Sequence, residues 1–333
     1  MTMPLPKVLV TGATGFVGRA LLSRLLDDGL DIPVAALRDQ LTTTKSVLNV
    51  VQSAVVGTID GQTAWGTALT GVSTVVHAAA RVHVMADTSA DPLAEFRRVN
   101  VDGTLNLARQ AAVAGVKRFV FVSSVKVIGE ATLLGQPFSE ADVAAPQDAY
   151  GQSKHEAEMG LRDLAAVTGM EVVIVRPPLV YGPGVKANFA ALMSVVQRGW
   201  PLPLGAVNNQ RSLVALDNLV DLIVTCLDHP AAANQTFMVS DGQDLSTAQL
   251  VQGMAQAAGV SARLLPVPVW AMQAVANLLG KGAAVQRLCG NLQVDISKAR
   301  TLLDWVPPVT VAEGLRRAMG AGDGLPRSAR NDD

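Results

Sequence analysis

Cysteine is scarce in this chain: Cys226 and Cys289 are the only two in 333 residues, far apart and each among apolar neighbours. Such a pair builds no disulfide framework and reads as two reduced thiols of a cytoplasmic protein. An excess of one charge is lacking too, since 27 Lys and Arg stand against 28 Asp and Glu, a net charge of -1. That balance offers no general attraction to nucleic acid or to an anionic membrane. Met1 to Pro6 lacks a basic segment followed by an apolar one, so no signal peptide is expected. The most apolar late stretch, Val267 to Leu279, is too short and too broken to span a bilayer and reads as a buried or amphipathic helix. No internal repeat or low-complexity linker is visible. What remains is a length sufficient for one large α/β domain and a smaller lobe.

The N-terminus carries the first positive signal. Lys7 to Thr11 reads as a buried strand, and Gly12-Ala-Thr-Gly15-Phe-Val-Gly18 turns it into an amphipathic helix from Arg19 to Asp28. Backbone amides at such a helix start cradle a pyrophosphate. A second strand, Pro33 to Leu37, ends at Arg38-Asp39, about twenty residues beyond the last glycine, where the adenosine ribose is read. Arg38 there suits a 2′-phosphate and favours NADP, with NAD as the alternative that Asp39 keeps open. Val55 to Asp60 reads as a third strand that brings Ile59 and Asp60 to the adenine. Val75 to Ala80 reads as a fourth strand running into Ala78, Ala79 and Ala80, small residues suited to backbone lying close to a ligand. His77 has no second metal-type side chain at a useful spacing and reads as a packed strand-end histidine.

Tyr150-Gly-Gln-Ser-Lys154 is the most informative segment. One helical turn separates the phenol from the ammonium, so both share a helix face. The cation is expected to lower the phenol's pKa towards working pH, and a tyrosine so tuned gives or takes a proton beside a hydride transfer.

Strand-like and helix-like segments alternate from Lys7 to Arg176, which predicts a parallel sheet with helices on both faces. Asp91 to Ala114 reads as a long helix, Lys117 to Val122 as a strand, Ala149 to Thr168 as a helix and Glu171 to Arg176 as a strand. The expected division is a Rossmann-type doubly wound domain over 1–178 and a mainly helical lobe over 179–319 that interleaves with it. A disordered tail is expected over 320–333, which is rich in glycine, charge and small polar residues.

These residues resemble the extended short-chain dehydrogenase/reductase family, in its nucleotide-sugar epimerase/dehydratase branch. The likeness runs from Lys7 to about Trp305. It rests on Gly12 to Gly18, Val99-Asn-Val-Asp-Gly-Thr104, Ser123-Ser124, Tyr150 to Lys154, Arg176-Pro-Pro-Leu-Val-Tyr-Gly-Pro-Gly184 and Arg211-Ser-Leu-Val-Ala-Leu-Asp217. The resemblance implies that Tyr150 is the acid/base and that Lys154 tunes it and binds the nicotinamide ribose. It implies that Ser124 polarises the substrate oxygen, that Asn100 faces the cofactor and that Pro177 borders the nicotinamide. Thr14, Phe16 and Val17 belong to the glycine turn. Ser123, Lys126, Asn188, Arg211 and Arg287 fall on the substrate side, the two arginines gripping the diphosphate of a UDP-sugar in a fork. A homodimer through the Tyr150 helix and the helix from Asp91 is also implied, with Leu105, Leu107, Leu161 and Leu164 able to face either that interface or the chain's own sheet.

For the reaction, Ser124 is followed by Val125-Lys-Val-Ile128-Gly129 where a 4-epimerase usually ends in Tyr-Gly. This form, with Arg38, resembles the subgroup that reduces UDP-4-keto-6-deoxy-hexosamines with NADPH in surface-polysaccharide synthesis. The alternative is a UDP-glucose or UDP-hexosamine 4-epimerase that retains NAD. A dehydratase fits less well, because no Asp-Glu pair follows the serines. A steroid or flavonoid ketone reductase and a non-enzymatic NADP sensor are further alternatives.

Overall fold

The computed structural model describes residues 5–39, 47–82, 91–280 and 282–320; the tail from residue 321 lies outside them. Nine strands are described: β1 Lys7–Thr11, β2 Ile32–Leu37, β3 Gln52–Val55, β4 Val72–His77, β5 Arg118–Val122, β6 Glu171–Arg176, β7 Leu179–Tyr181, β8 Leu213–Ala215 and β9 Thr236–Met238. Seven form one parallel sheet in the order β3-β2-β1-β4-β5-β6-β9, while β7 and β8 pair separately. The order reverses between β1 and β4, and a crevice opens at the strand C-termini beside such a reversal.

The helices are α1 Phe16–Asp28, α2 Pro92–Arg97, α3 Thr104–Val113, α4 Ala149–Thr168, α5 Ala187–Gln197, α6 Leu216–Asp228, α7 Thr247–Ala258, α8 Val269–Leu278, α9 Gly282–Cys289, α10 Ser297–Leu303 and α11 Val311–Gly320. Residues Arg98–Gly103 form a π-helical segment, so the expected helix from Asp91 has a wider turn in its middle. Such turns often sit at functional sites.

Alternation along the strands divides the core. Val8, Val10, Val76 and Val120 pack towards α1 and α6, whereas Leu9, Val75, Phe119 and Phe121 pack towards α3 and α4. Leu107, Leu161 and Leu164 lie in this second core, and Leu105 packs against it half-buried. A third cluster holds the lobe around Tyr181, Phe189, Met254 and Leu315.

The third strand departs from expectation. It runs over Gln52–Val55 and is largely exposed, leaving Ile59 and Asp60 in the turn that follows. Its register is set by pairing with Val34 to Leu37 rather than by the apolar run from Val55. Cys226 is buried and Cys289 half-buried, and both are free. Among the described residues no helix is long and apolar enough to cross a membrane.

Candidate active site

Gly12 leaves β1 with φ 67°, and a Cβ on it would lie 2.8 Å from the backbone of Ala78 and Ala79. Only glycine combines that conformation with that approach. Gly18 is tighter still, a Cβ there colliding with the Gly12 carbonyl oxygen. Thr14 and Gly15 form the exposed rim of the turn, Phe16 and Val17 are half-buried, and Ala78, Ala79 and Ala80 are half-buried across from it. The first turn of α1 has no side-chain cap and no acidic residue. Its amides and the positive end of its dipole are therefore uncompensated, which fits a dinucleotide pyrophosphate.

His77 ends β4 opposite Thr11 on one side and Phe121 on the other. Its Nδ1 is 2.7 Å from Thr11 Oγ1 and its Nε2 2.9 Å from Thr104 Oγ1. Thr104 gives its proton to the Asn100 carbonyl at 2.7 Å, so His77 donates from Nε2 and accepts at Nδ1. Burial and the Lys154 charge depress its pKa to about 3. It is a neutral linker between β1 and α3.

Asp148 caps α4, its Oδ1 accepting from the Gly151 amide at 2.6 Å. The first turn so fixed carries Tyr150, and the next carries Lys154 on the buried face. Lys154 Nζ donates to the Val122 carbonyl at 2.8 Å and lies 4.3 Å above the Phe121 ring. Burial lowers its pKa to about 7. An ammonium has three N–H donors, so two stay available for a ribose hydroxyl. The Tyr150 ring meets Phe96 edge-on at 6.2 Å.

The tyrosine corrects an expectation. Its pKa is raised to about 12, first by burial and then by the negative charge of Asp148. One lysine a turn away does not outweigh these two.

Four other expected residues have protein partners. Ser123 is buried and donates to Glu158 at 2.6 Å, within a pair that Glu158 makes with Arg176 at 2.6 Å. It lies in the core between β5, β6 and α4. Asn100 is equally engaged: its amide oxygen accepts from the Arg81 amide at 2.8 Å, and its nitrogen donates to the Arg81 carbonyl and to Ser153 Oγ, both at 3.0 Å. It clamps the β4 loop to α4. Lys126 is ion-paired with Glu130 and Asp148, each at 2.6 Å. Asp60 accepts from the Gln62 amide and stands 3.8 Å from Arg98, while Ile59 packs beside Gly103.

Ser124 caps the short turn at Val125–Val127. The Val125 amide donates to the Pro177 carbonyl at 3.0 Å, so Ser124 and the buried Pro177 share one corner of the crevice. Arg38 is exposed at the end of β2, and Asn188 is exposed in the first turn of α5. Arg211 donates to the carbonyls of Arg287 at 2.7 Å and Gly290 at 3.1 Å. No carboxylate pairs with it among the described residues, and burial lowers its pKa. Arg287 is exposed beside it.

The residues missed by the sequence reading are Asp148, Phe121, Glu158 and Arg176. Asp148 carried a readable signal, an acidic cap just before the helix. Glu158 carried a weaker one, four residues beyond Lys154 on the buried face.

Glycine turn, buried lysine and capped tyrosine helix at the C-terminal edge of a doubly wound sheet define an enzyme of the dinucleotide-binding kind. The sequence profile of the NAD dependent epimerase/dehydratase family matches residues 8–240, and the chain belongs to that family. It is 50% identical over 319 residues to the UDP-glucose 4-epimerase of Vibrio cholerae, covering 95% of this chain and 96% of that protein. It is 29% identical over 330 residues to an Escherichia coli O157:H7 N-acetyl-alpha-D-glucosaminyl-diphospho-ditrans,octacis-undecaprenol 4-epimerase, covering 94% of each. In fold it resembles the UDP-glucuronic acid 4-epimerase of Bacillus cereus in complex with NAD, with TM-score 0.75, 21% identity, and 95% and 96% of the two chains covered.

Proposed function

We propose that the protein is an NAD-dependent 4-epimerase of a UDP-sugar. The observation that carries this reading is the 50% identity with a UDP-glucose 4-epimerase along nearly the whole of both chains. The site chemistry supports it. NAD bound at the glycine turn would supply a two-electron acceptor that returns what it takes. Tyr150 removes the proton of the C4 hydroxyl, and Ser124 holds that oxygen by a hydrogen bond. Protonated Lys154 stabilises the phenolate, a preorganised charge of the kind that lowers such barriers most directly. After the keto-sugar turns over, the same groups act in reverse, so no net redox change results.

Arg211 and Arg287 hold the diphosphate in this reading, Arg211 having spare guanidinium donors and no carboxylate partner among the described residues. The substrate named for the O157:H7 relative carries its sugar on a lipid diphosphate, so a glycosyl diphosphate is the chemistry common to both relatives' substrates. We propose a homodimer through α3 and α4, to be checked by light scattering.

The test is to denature fresh protein, identify any released dinucleotide by mass spectrometry, and assay interconversion of UDP-glucose and UDP-galactose. Stoichiometric NAD with interconversion is the expected result. One observation favours a second reading, an NADPH-dependent 4-keto-sugar reductase: Arg38 stands exposed after β2, where a 2′-phosphate would lie, and has no ion-pair partner among the described residues. Released NADP, or net NADPH consumption with a UDP-4-keto sugar, would replace the first reading by the second.

A further inference from the structure

Charge in this chain is balanced overall yet unevenly distributed. From Leu245 to Val294 there is no Asp or Glu, while Arg263, Lys281 and Arg287 fall within that stretch; Pro177 to Leu216 is equally free of acid and holds Lys186, Arg198 and Arg211. The fold joins the two stretches. Leu202 donates to the Arg263 carbonyl and Leu265 to the Leu202 carbonyl, both at 2.8 Å, so 199–205 runs beside 261–267 and leads into α8. Among the described residues Lys186, Arg263 and Arg287 form no ion pair, and the Arg198 guanidinium lies 5.9 Å over the Trp200 ring.

The same surface exposes large apolar side chains. Trp200 is 59% exposed, Trp270 76%, Val275 58% and Leu278 89%. Trp270, Ala274 and Leu278 recur every four residues with Val275 alongside, one stripe of α8, which fully buries only Ala276. The helix is tied back to α9 through Gln273 and the Gly282 carbonyl at 3.2 Å. An outward apolar stripe bearing Trp270, with exposed Trp200 on the neighbouring segment, edged by cations without ion pairs and drawn from two stretches free of carboxylate, matches an anionic lipid surface in both hydrophobicity and charge.

We propose that this face, α8 with the 199–205 and 261–267 segments, docks the enzyme peripherally on an anionic bilayer. Trp270, Val275 and Leu278 enter the headgroup layer while Arg198 and Arg263 lie on lipid phosphates. Each cation at such a surface adds roughly fivefold to binding. The docking is independent of the epimerase reading, because it uses none of the groups assigned to chemistry.

Flotation of the full chain with phosphatidylcholine vesicles, with and without phosphatidylglycerol, tests it. The expected result is flotation on the anionic vesicles alone, weakened between about 0.1 M and about 1 M salt, where the screening length falls from about 10 to about 3 Å. The double variant Val275→Asp/Leu278→Asp should float at least about tenfold less, and Arg263→Gln severalfold less, each melting as the parent does. These positions are exposed, so folding is not at stake. Absence of flotation, or equal flotation on neutral vesicles, overturns the proposal. Self-association without lipid that the double variant abolishes would assign the face to a second copy instead, and equally overturns it.

Discussion

Lys126 Nζ stands 2.6 Å from Asp148 Oδ2, while Oδ1 of the same carboxylate takes the Gly151 amide at the start of the tyrosine helix. The ion pair therefore sets the charge that Tyr150 feels. Lys126 holds the Asp148 carboxyl below its ordinary range, and Asp148 helps push the phenol up to about 12. Asp148→Asn keeps the cap, since Asn and Asp cap about equally well, and removes the charge. The pKa at which kcat/KM rises as the phenol ionises should then fall, whereas Lys126→Met should raise it. Superimposable pH profiles for wild type and Asp148→Asn would break the link.

Tyr150→Phe should lose about 10²–10⁴-fold in turnover with dinucleotide content unchanged by mass spectrometry. Indifference to this substitution would mean that the chain is a sensor and not a catalyst.

Lys154 makes stability and activity oppose each other. Its folded pKa of about 7 lies below the ordinary 10.5, so between those values the unfolded chain binds more protons and stability rises with pH. Below about pH 7 both states are charged, and the full burden of burying the ammonium is present. Lys154→Met should flatten this slope and raise the melting temperature at neutral pH while abolishing turnover. A melting temperature that falls at pH 7 and keeps the slope would show that Lys154 stabilises the fold.

His77 acts in the acid range. Its pKa falls from 6.5 to about 3 on folding, so stability is fully present above 6.5 and is lost as pH drops towards 3. In His77→Gln the fall in denaturant midpoint between pH 6.5 and pH 4 should be shallower than in wild type, although its neutral-pH stability is lower.

The Glu158–Arg176 pair is buried. Removing one partner of such a pair costs about 3–5 kcal/mol, so Glu158→Gln should unfold several degrees earlier. Ser123→Ala loses one hydrogen bond to it, about 1–3 kcal/mol for the group left unsatisfied, with KM for the sugar unchanged. A raised KM at unaltered stability would return Ser123 to the substrate.

The sequence disclosed those elements whose local pattern and tertiary setting agree. The span Ala149–Thr168 is the helix expected, because Asp148 caps it and its apolar positions face one side. Glu171–Arg176 is the strand expected, a short apolar run inside the sheet. β3 escaped because an exposed edge strand leaves little apolar signal. The π turn at Arg98–Gly103 escaped because nothing in its residues distinguishes it from ordinary helix. Of the site, the glycine turn and the tyrosine–lysine spacing were legible as motifs. What Tyr150 and Ser123 do there depends on burial and on Asp148 and Glu158, which sequence spacing does not weigh.

The last strand of the main sheet has a consequence during translation. Among the described residues β9 pairs with β6 alone, from Ile174 opposite Thr236 to Arg176 opposite Met238, and residues 177–235 lie between them. At ordinary synthesis rates about sixty residues take roughly 3–12 s. Through that interval the growing polypeptide presents the Val-Val-Ile-Val edge of β6 with unpaired amides and carbonyls, the kind of edge that recruits a foreign strand. A nascent chain stalled in the lobe is thus the form most in need of a chaperone, and a gene truncated after Pro178 would leave that edge open permanently.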